Sequence, residues 1–192
     1  MTAHPADLQA LVGPTCTGLV DLLAGAADEV WDAPSLCARW QVRHVVAHLT
    51  MPARLSPEQF GAKMAAAGGD VTVLSDTVAA RDAALPVADL LAQLRSAGLH
   101  DWQPPGGGAA GALSHAVIHA LDVTLALGRP AVAPTDALTA VLDLLVGAEG
   151  RWFGVDVTGL PSDAPLDAQV ALASGRTLPD GRALPRVQPS PH

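Results

Sequence analysis

Two pairs of histidines carry a spacing that suits metal binding: His44 with His48, and His115 with His119. Each pair sits four residues apart inside a Val-, Ala- and Leu-rich run, Trp40–Thr50 and Leu113–Val123. On an α-helix such positions share one face, about 6 Å apart along the axis at ~1.5 Å rise per residue. Two imidazoles so placed can grip one cation. Asp122, three residues past His119, lies near the same face. A buried imidazole without a partner is unfavourable, and one metal ion satisfies several rings at once. Four rings would close a tetrahedral structural site. Three would leave a position open for water, substrate or a thiol, as in a catalytic site. The spacing alone does not choose between them. His44 lies near the expected N-terminus of its helix and is the weakest of the four candidates. His4, His100 and His192 fall near ends or loops and are expected to be solvated.

Helices must position these rings. Leu8, Leu11, Val12, Leu19, Leu22 and Leu23 predict helix over 7–30, interrupted at Pro14. Pro34 marks a break before a second helix, which runs from near Gln41 through His48 towards Met51. Pro57 opens a helix to Ala67, Gly68 and Gly69 end it, and Asp70 caps the next. Apolar repeats predict helix from Val71 to Leu85 and from Val87 to Leu99. The Pro104–Gly108 loop precedes the His115/His119 helix, expected over Ala110–Leu127 and closed by Gly128 and Pro130. A further helix capped by Thr135 or Asp136 follows. Trp152–Thr158 then reads as a short strand and Leu166–Ala173 as a short helix. The Pro- and Arg-rich tail from Leu178 is expected to be partly disordered. The expected architecture is all-α: a four-helix bundle over 1–150 and a small strand/helix appendage over 151–192. Antiparallel helices packed at roughly 20° would bring inward residues of different helices to one ligand.

Composition narrows the function classes. The net charge of −8 offers no basic patch for phosphates, and aromatics at 3 % with no Tyr argue against a base-stacking surface. Hydrophobic residues at 49 % suffice for a core, and charged residues at 16 % leave room for apolar surface covered by a second copy, so a homodimer is an option. No apolar run reaches the ~18–20 residues that span a bilayer. The N-terminal Met1–Pro5 lacks the features of a secretory signal, so a cytoplasmic setting with reduced Cys16 and Cys37 is expected.

The run Trp40–Leu49 resembles the "gWtVrdvvaHL" segment of the DinB-like superfamily, in particular its mycothiol-dependent maleylpyruvate isomerase branch. The run Val117–Val123, followed by Leu127-Gly128-Arg129-Pro130, resembles that branch's "viHgxDixxxLGrp" segment. The resemblance implies a four-helix bundle holding a divalent metal through His48, His115 and His119. Zinc is the first expectation, with nickel or cobalt as alternatives. The isomerase usually has a carboxylate where His115 stands, whereas other DinB-like proteins use three histidines. The isomerase motif has Asp where His44 stands, so the resemblance does not make His44 a ligand. The full isomerase also has a larger C-terminal domain that contributes to its site.

The resemblance further implies a low-molecular-weight thiol cosubstrate, of mycothiol or bacillithiol type, in S-transfer or cis–trans isomerisation of a small electrophile. Asp122 either orients a ligand imidazole through the other ring nitrogen, or is an ion-pair partner of Arg43 or a solvated charge. Trp40 reads as core packing. Arg39, Arg54 and Arg129 are candidates to contact an anionic substrate, with plain surface charge as the alternative. Two rival functions stand beside the enzyme: a non-catalytic, metal-stabilised binding or dimerisation module, and a plain bundle whose histidines are hydrogen-bonded.

Overall fold

A computed structural model describes residues 5–187. The chain is helical: α1 (Pro5–Ala10), α2 (Val12–Leu23), α3 (Asp28–Trp31), α4 (Val42–Leu49), α5 (Pro57–Ala66), α6 (Val71–Asp82), α7 (Val87–Leu94), α8 (Ala97–His100), α9 (Gly108–Thr124), α10 (Thr135–Gly147) and α11 (Leu166–Ala173). No strand occurs among the described residues, and no helix there is long and apolar enough to cross a membrane.

α9 is the axis of the fold and packs against α1, α2, α4, α10 and α11. Its sequence explains this. Ala112, Leu113, Ala116, Val117, Ala120, Leu121 and Val123 are all buried, so the helix is apolar nearly all round and needs neighbours on every side. α4 contributes Val42, Val45, Val46 and Leu49 to the same core. A separate small cluster, Met51, Leu74 and Val78 with Phe60 and Met64, lies under α5 and α6.

Several local expectations are corrected. The single helix expected over 7–30 is split at Leu11 and again at Gly25, whose φ of 78° only glycine adopts freely. Pro14 does not break it, because it falls in the first turn of α2, where its missing N–H has no helical partner to lose. The helix expected over Val87–Leu99 stops at Leu94, and Ser96 caps the short α8 by accepting from the Leu99 N–H at 3.3 Å. Trp152–Thr158 is not a strand. Gly150 and Gly154, at φ 71° and 60°, fold it into tight turns. They leave one isolated bridge, Val155 with Arg186, and a 3-10 turn over Val157–Gly159.

Of the tail expected to be partly disordered, residues 178–187 run back along these turns. Leu178 is buried, the Asp156 N–H donates to Pro185 O at 2.8 Å, and the Val187 N–H donates to Gly154 O at 3.0 Å. Residues 188–192 lie outside the described residues, as do His4 and His192.

Candidate metal centre

α4 and α9 carry the histidines. At the start of α4 the Gln41 N–H donates to His44 Nδ1 at 3.3 Å, so His44 satisfies a helix-end donor. His48, one turn on, is buried at 8 % exposure. α9 presents His115 and His119, both half-buried. The structure brings these three rings together. Their centroids stand 5.0 Å (His48–His115), 4.7 Å (His48–His119) and 4.9 Å (His115–His119) apart, close to an equilateral triangle. His44 is not part of this group.

Atomic detail tests whether a cation suits the cluster. His48 Nε2 and His115 Nε2 face each other at 3.1 Å. Two imidazole nitrogens bound to zinc at ~2.0–2.1 Å with tetrahedral angles stand about 3.3 Å apart. One ligand atom from each of the three histidines lies within 4.8 Å of the others. His119 Nδ1 sits 2.8 Å from Asp122 Oδ2. A carboxylate only accepts, so Nδ1 carries a proton, which leaves Nε2 as the nitrogen that could face a metal. Burial, reinforced by the neighbouring His119 ring, pushes the His48 and His115 imidazoles well below their ordinary pKa. Neutral rings are the ligand form. Three imidazole nitrogens at this separation fit a divalent cation.

Asp122 is the hub behind the rings. It is fully buried and accepts four donors: Arg176 Nε at 2.7 Å and Nη2 at 2.9 Å, His119 Nδ1, and the Cys37 thiol at 3.0 Å. Burial would raise its carboxyl, but the hydrogen bonds from Arg176 and His119 hold it well below the carboxylate range. Burial, and then the Asp122 charge, push the Cys37 thiol up. The alternative pairing of Asp122 with Arg43 is overturned, because Arg43 pairs with Asp32 at 2.8 Å.

Arg176 and Cys37 were not singled out by sequence reasoning. They stand 54 and 85 residues from Asp122, in segments with no periodicity to mark them. Cys16 and Cys37 are both free.

Other expectations shift as well. Trp40 packs against the core as expected and also reaches the site. Its ring centroid stands 5.0 Å from that of His48, and its Nε1–H donates to Asp76 Oδ1 at 2.9 Å. Arg39 pairs with Asp76 at 3.0 Å. Arg54 is no substrate contact: half-buried, it pairs with Asp82 at 2.7 Å, also bonds Thr50 and Gln93, and so ties the end of α4 to α6 and α7. Arg129 is exposed. His100 is not solvated, because its Nε2 bonds Leu94 O at 2.7 Å and its ring packs on Gly13.

A cavity of about 870 Å³ opens over the cluster, and all three histidines line it, as do Trp40, Trp102, Phe60, Phe153 and Arg176. Trp102 flanks the cluster on the side of His115, at 5.5 Å between centroids. The cavity side of the triangle is where a further ligand could reach a bound cation.

No curated protein and no solved structure matches the chain. A family model does, over the part that carries Trp40 and His48 but not α9. Residues 12–100 match the mycothiol maleylpyruvate isomerase N-terminal domain, in keeping with the DinB-like resemblance of the Trp40–Leu49 run.

Proposed function

We propose that His48, His115 and His119 bind a divalent metal, zinc first among the candidates. The chain would use it with a low-molecular-weight thiol of the mycothiol type for S-transfer to, or cis–trans isomerisation of, a small electrophile. One observation carries this reading: three imidazoles from two helices form a triangle on the wall of a large cavity. A purely structural metal would be closed by a fourth protein ligand, and His44, the fourth histidine weighed from the sequence, is occupied at the helix start.

Each residue has a physical task. His48 and His115 offer neutral nitrogens from opposite sides. Asp122 fixes the tautomer and orientation of His119 through its Nδ1–H. Arg176 compensates the Asp122 charge, so the carboxylate places no net negative charge beside the cation. Trp40 and Trp102 flank the cluster, against His48 and His115 respectively. When bound, a divalent cation with three neutral ligands keeps its positive charge and favours an incoming thiol in its thiolate form.

The test begins with metal content. Protein supplied with zinc and dialysed should hold about one equivalent, and His119→Ala should hold almost none. Unchanged metal content in that variant contradicts the ligand set. The zinc-loaded protein is then assayed with mycothiol, bacillithiol and glutathione against a panel of electrophiles. Turnover that needs both thiol and metal supports the enzyme. Metal binding without any turnover supports the non-catalytic module instead.

A further inference from the structure

The chain has only six aromatic residues of the Phe and Trp type, and four of them, Trp40, Trp102, Phe60 and Phe153, line the one cavity over the histidines. Of the other two, Trp31 is fully buried in the core and Trp152 is 54 % exposed. Trp40 and Phe153 also pack against the Leu-, Val- and Ala-rich core and Phe60 against Met51, Leu74 and Val78, while each also lines the void. Flat π-faces gathered around a void match flat apolar ligands by offset stacking or edge contact. The volume of about 870 Å³ lies in the range of pockets that enclose drug-sized molecules.

The charges around the cavity are uneven. Arg39 is compensated by Asp76 and Arg176 by Asp122. Arg186 also lines the cavity, and it makes no ion pair among the described residues. Its head is nevertheless fixed: Nη1 donates to Phe153 O at 2.7 Å and Nη2 to Gly175 O at 3.1 Å. Gly175 makes the seat possible, because it adopts φ 77° and a Cβ there would stand 3.0 Å from Arg186 Nη1. A guanidinium has five N–H donors, so the remaining ones are free to meet an oxyanion as a fork.

We propose that this cavity takes a flat, aromatic-sized apolar molecule bearing one acidic group, with its body among Trp40, Trp102, Phe60 and Phe153 and its acid on Arg186. A small aliphatic diacid fits poorly, because it would leave the aromatic walls unfilled. The inference rests on the reading of this cavity as the substrate site and names the class of substrate.

The test is binding to the full chain by fluorescence titration, with no thiol present. The probes are 8-anilinonaphthalene-1-sulfonate, which is aromatic and acidic, and the neutral N-phenyl-1-naphthylamine. The sulfonate should bind at one site. Arg186→Gln, at an exposed position, should weaken the sulfonate about tenfold, the effect of losing one charge-assisted contact, and leave the neutral amine within about twofold. Trp102→Ala should weaken both probes. Phe60→Ala, on the peripheral α5, should do the same and serves where Trp102→Ala fails to fold. Trp152→Ala should change neither.

Equal effects of Arg186→Gln on both probes overturn the acid seat. Binding that survives the Trp102 and Phe60 changes but is lost with Trp152, or displacement of the sulfonate by maleate at lower concentration than by benzoate, overturns the aromatic class. A chain that binds zinc through its histidines but neither naphthalene fails this inference alone. One that binds the naphthalenes but no metal fails the proposed function alone.

Discussion

Arg176→Gln isolates the contact through which the C-terminal segment reaches the candidate centre. The Arg176 side chain is 17 % exposed and holds both oxygens of Asp122, which is 0 % exposed. Removing the guanidinium leaves a buried carboxylate with only the His119 and Cys37 donors. Breaking a buried pair from one side destabilises by roughly 3–5 kcal/mol. The two remaining donors and the partial exposure of Arg176 place the expected loss near the lower end. Asp122 also becomes less fixed, and with it the His119 ring. Loss of such an outer hydrogen bond weakens metal affinity by about 10–100-fold.

Two assays separate these effects: urea unfolding of the metal-free protein, and competition for zinc against a chromophoric chelator. Arg176 acts on the metal only through Asp122. The Asp122→Asn/Arg176→Gln pair should therefore lose no more zinc affinity than Asp122→Asn alone, while recovering part of the stability that Arg176→Gln loses. Zinc affinity of Arg176→Gln within twofold of the parent, or losses that simply add in the pair, would refute the reasoning.

Three further outcomes follow from the same geometry. His44→Ala should lower stability by about 1 kcal/mol or less, the scale of a lost helix cap, and leave zinc stoichiometry unchanged; a halved zinc content would make His44 a ligand. Gly18→Ala should destabilise by about 1–3 kcal/mol, because a Cβ there would stand 2.7 Å from Val132 O on the neighbouring backbone; an unchanged urea midpoint would contradict it. Asp82 governs part of the acid limb. Burial would raise its carboxyl, yet hydrogen bonds and charge from Arg81 and Arg54 hold it below the ordinary value. Its stabilising effect is therefore full above the unfolded pKa of about 3.9 and fades as pH falls through the lowered folded value. Asp82→Asn should lower the urea midpoint at pH 7 and narrow the gap to the parent near pH 3; a gap that is constant across this range would be inconsistent.

Much of the fold was legible because its cues are local. Asp70 does cap α6, accepting from the Thr72 N–H at 2.8 Å, and Leu166–Ala173 is a helix with the expected bounds. The buried run around His115 and His119 marked the central helix, since only an apolar segment can be surrounded on all sides. Spacing alone does not separate the two histidine pairs, because it records the face of a helix and not the distance from its end; the expected helix start near Gln41 is what marked His44 as the weakest candidate. His44 falls in the first turn, where the backbone needs an acceptor, and His48 does not. Trp152–Thr158 had strand-forming residues, but the positive-φ glycines at 150 and 154 turn the chain before an extended run can pair. Arg176 was invisible for a different reason. Its partner is set by tertiary packing across 54 residues, and nothing next to Gly175 distinguishes it from a surface charge.

X-ray absorption at the zinc edge tests the central claim most directly. Zinc-loaded protein should show three imidazole nitrogens at ~2.0–2.1 Å and one further light ligand, and added thiol should replace that ligand with a sulfur at ~2.3 Å. Four imidazoles, or fewer than three, or a shell that ignores the thiol, would contradict the account.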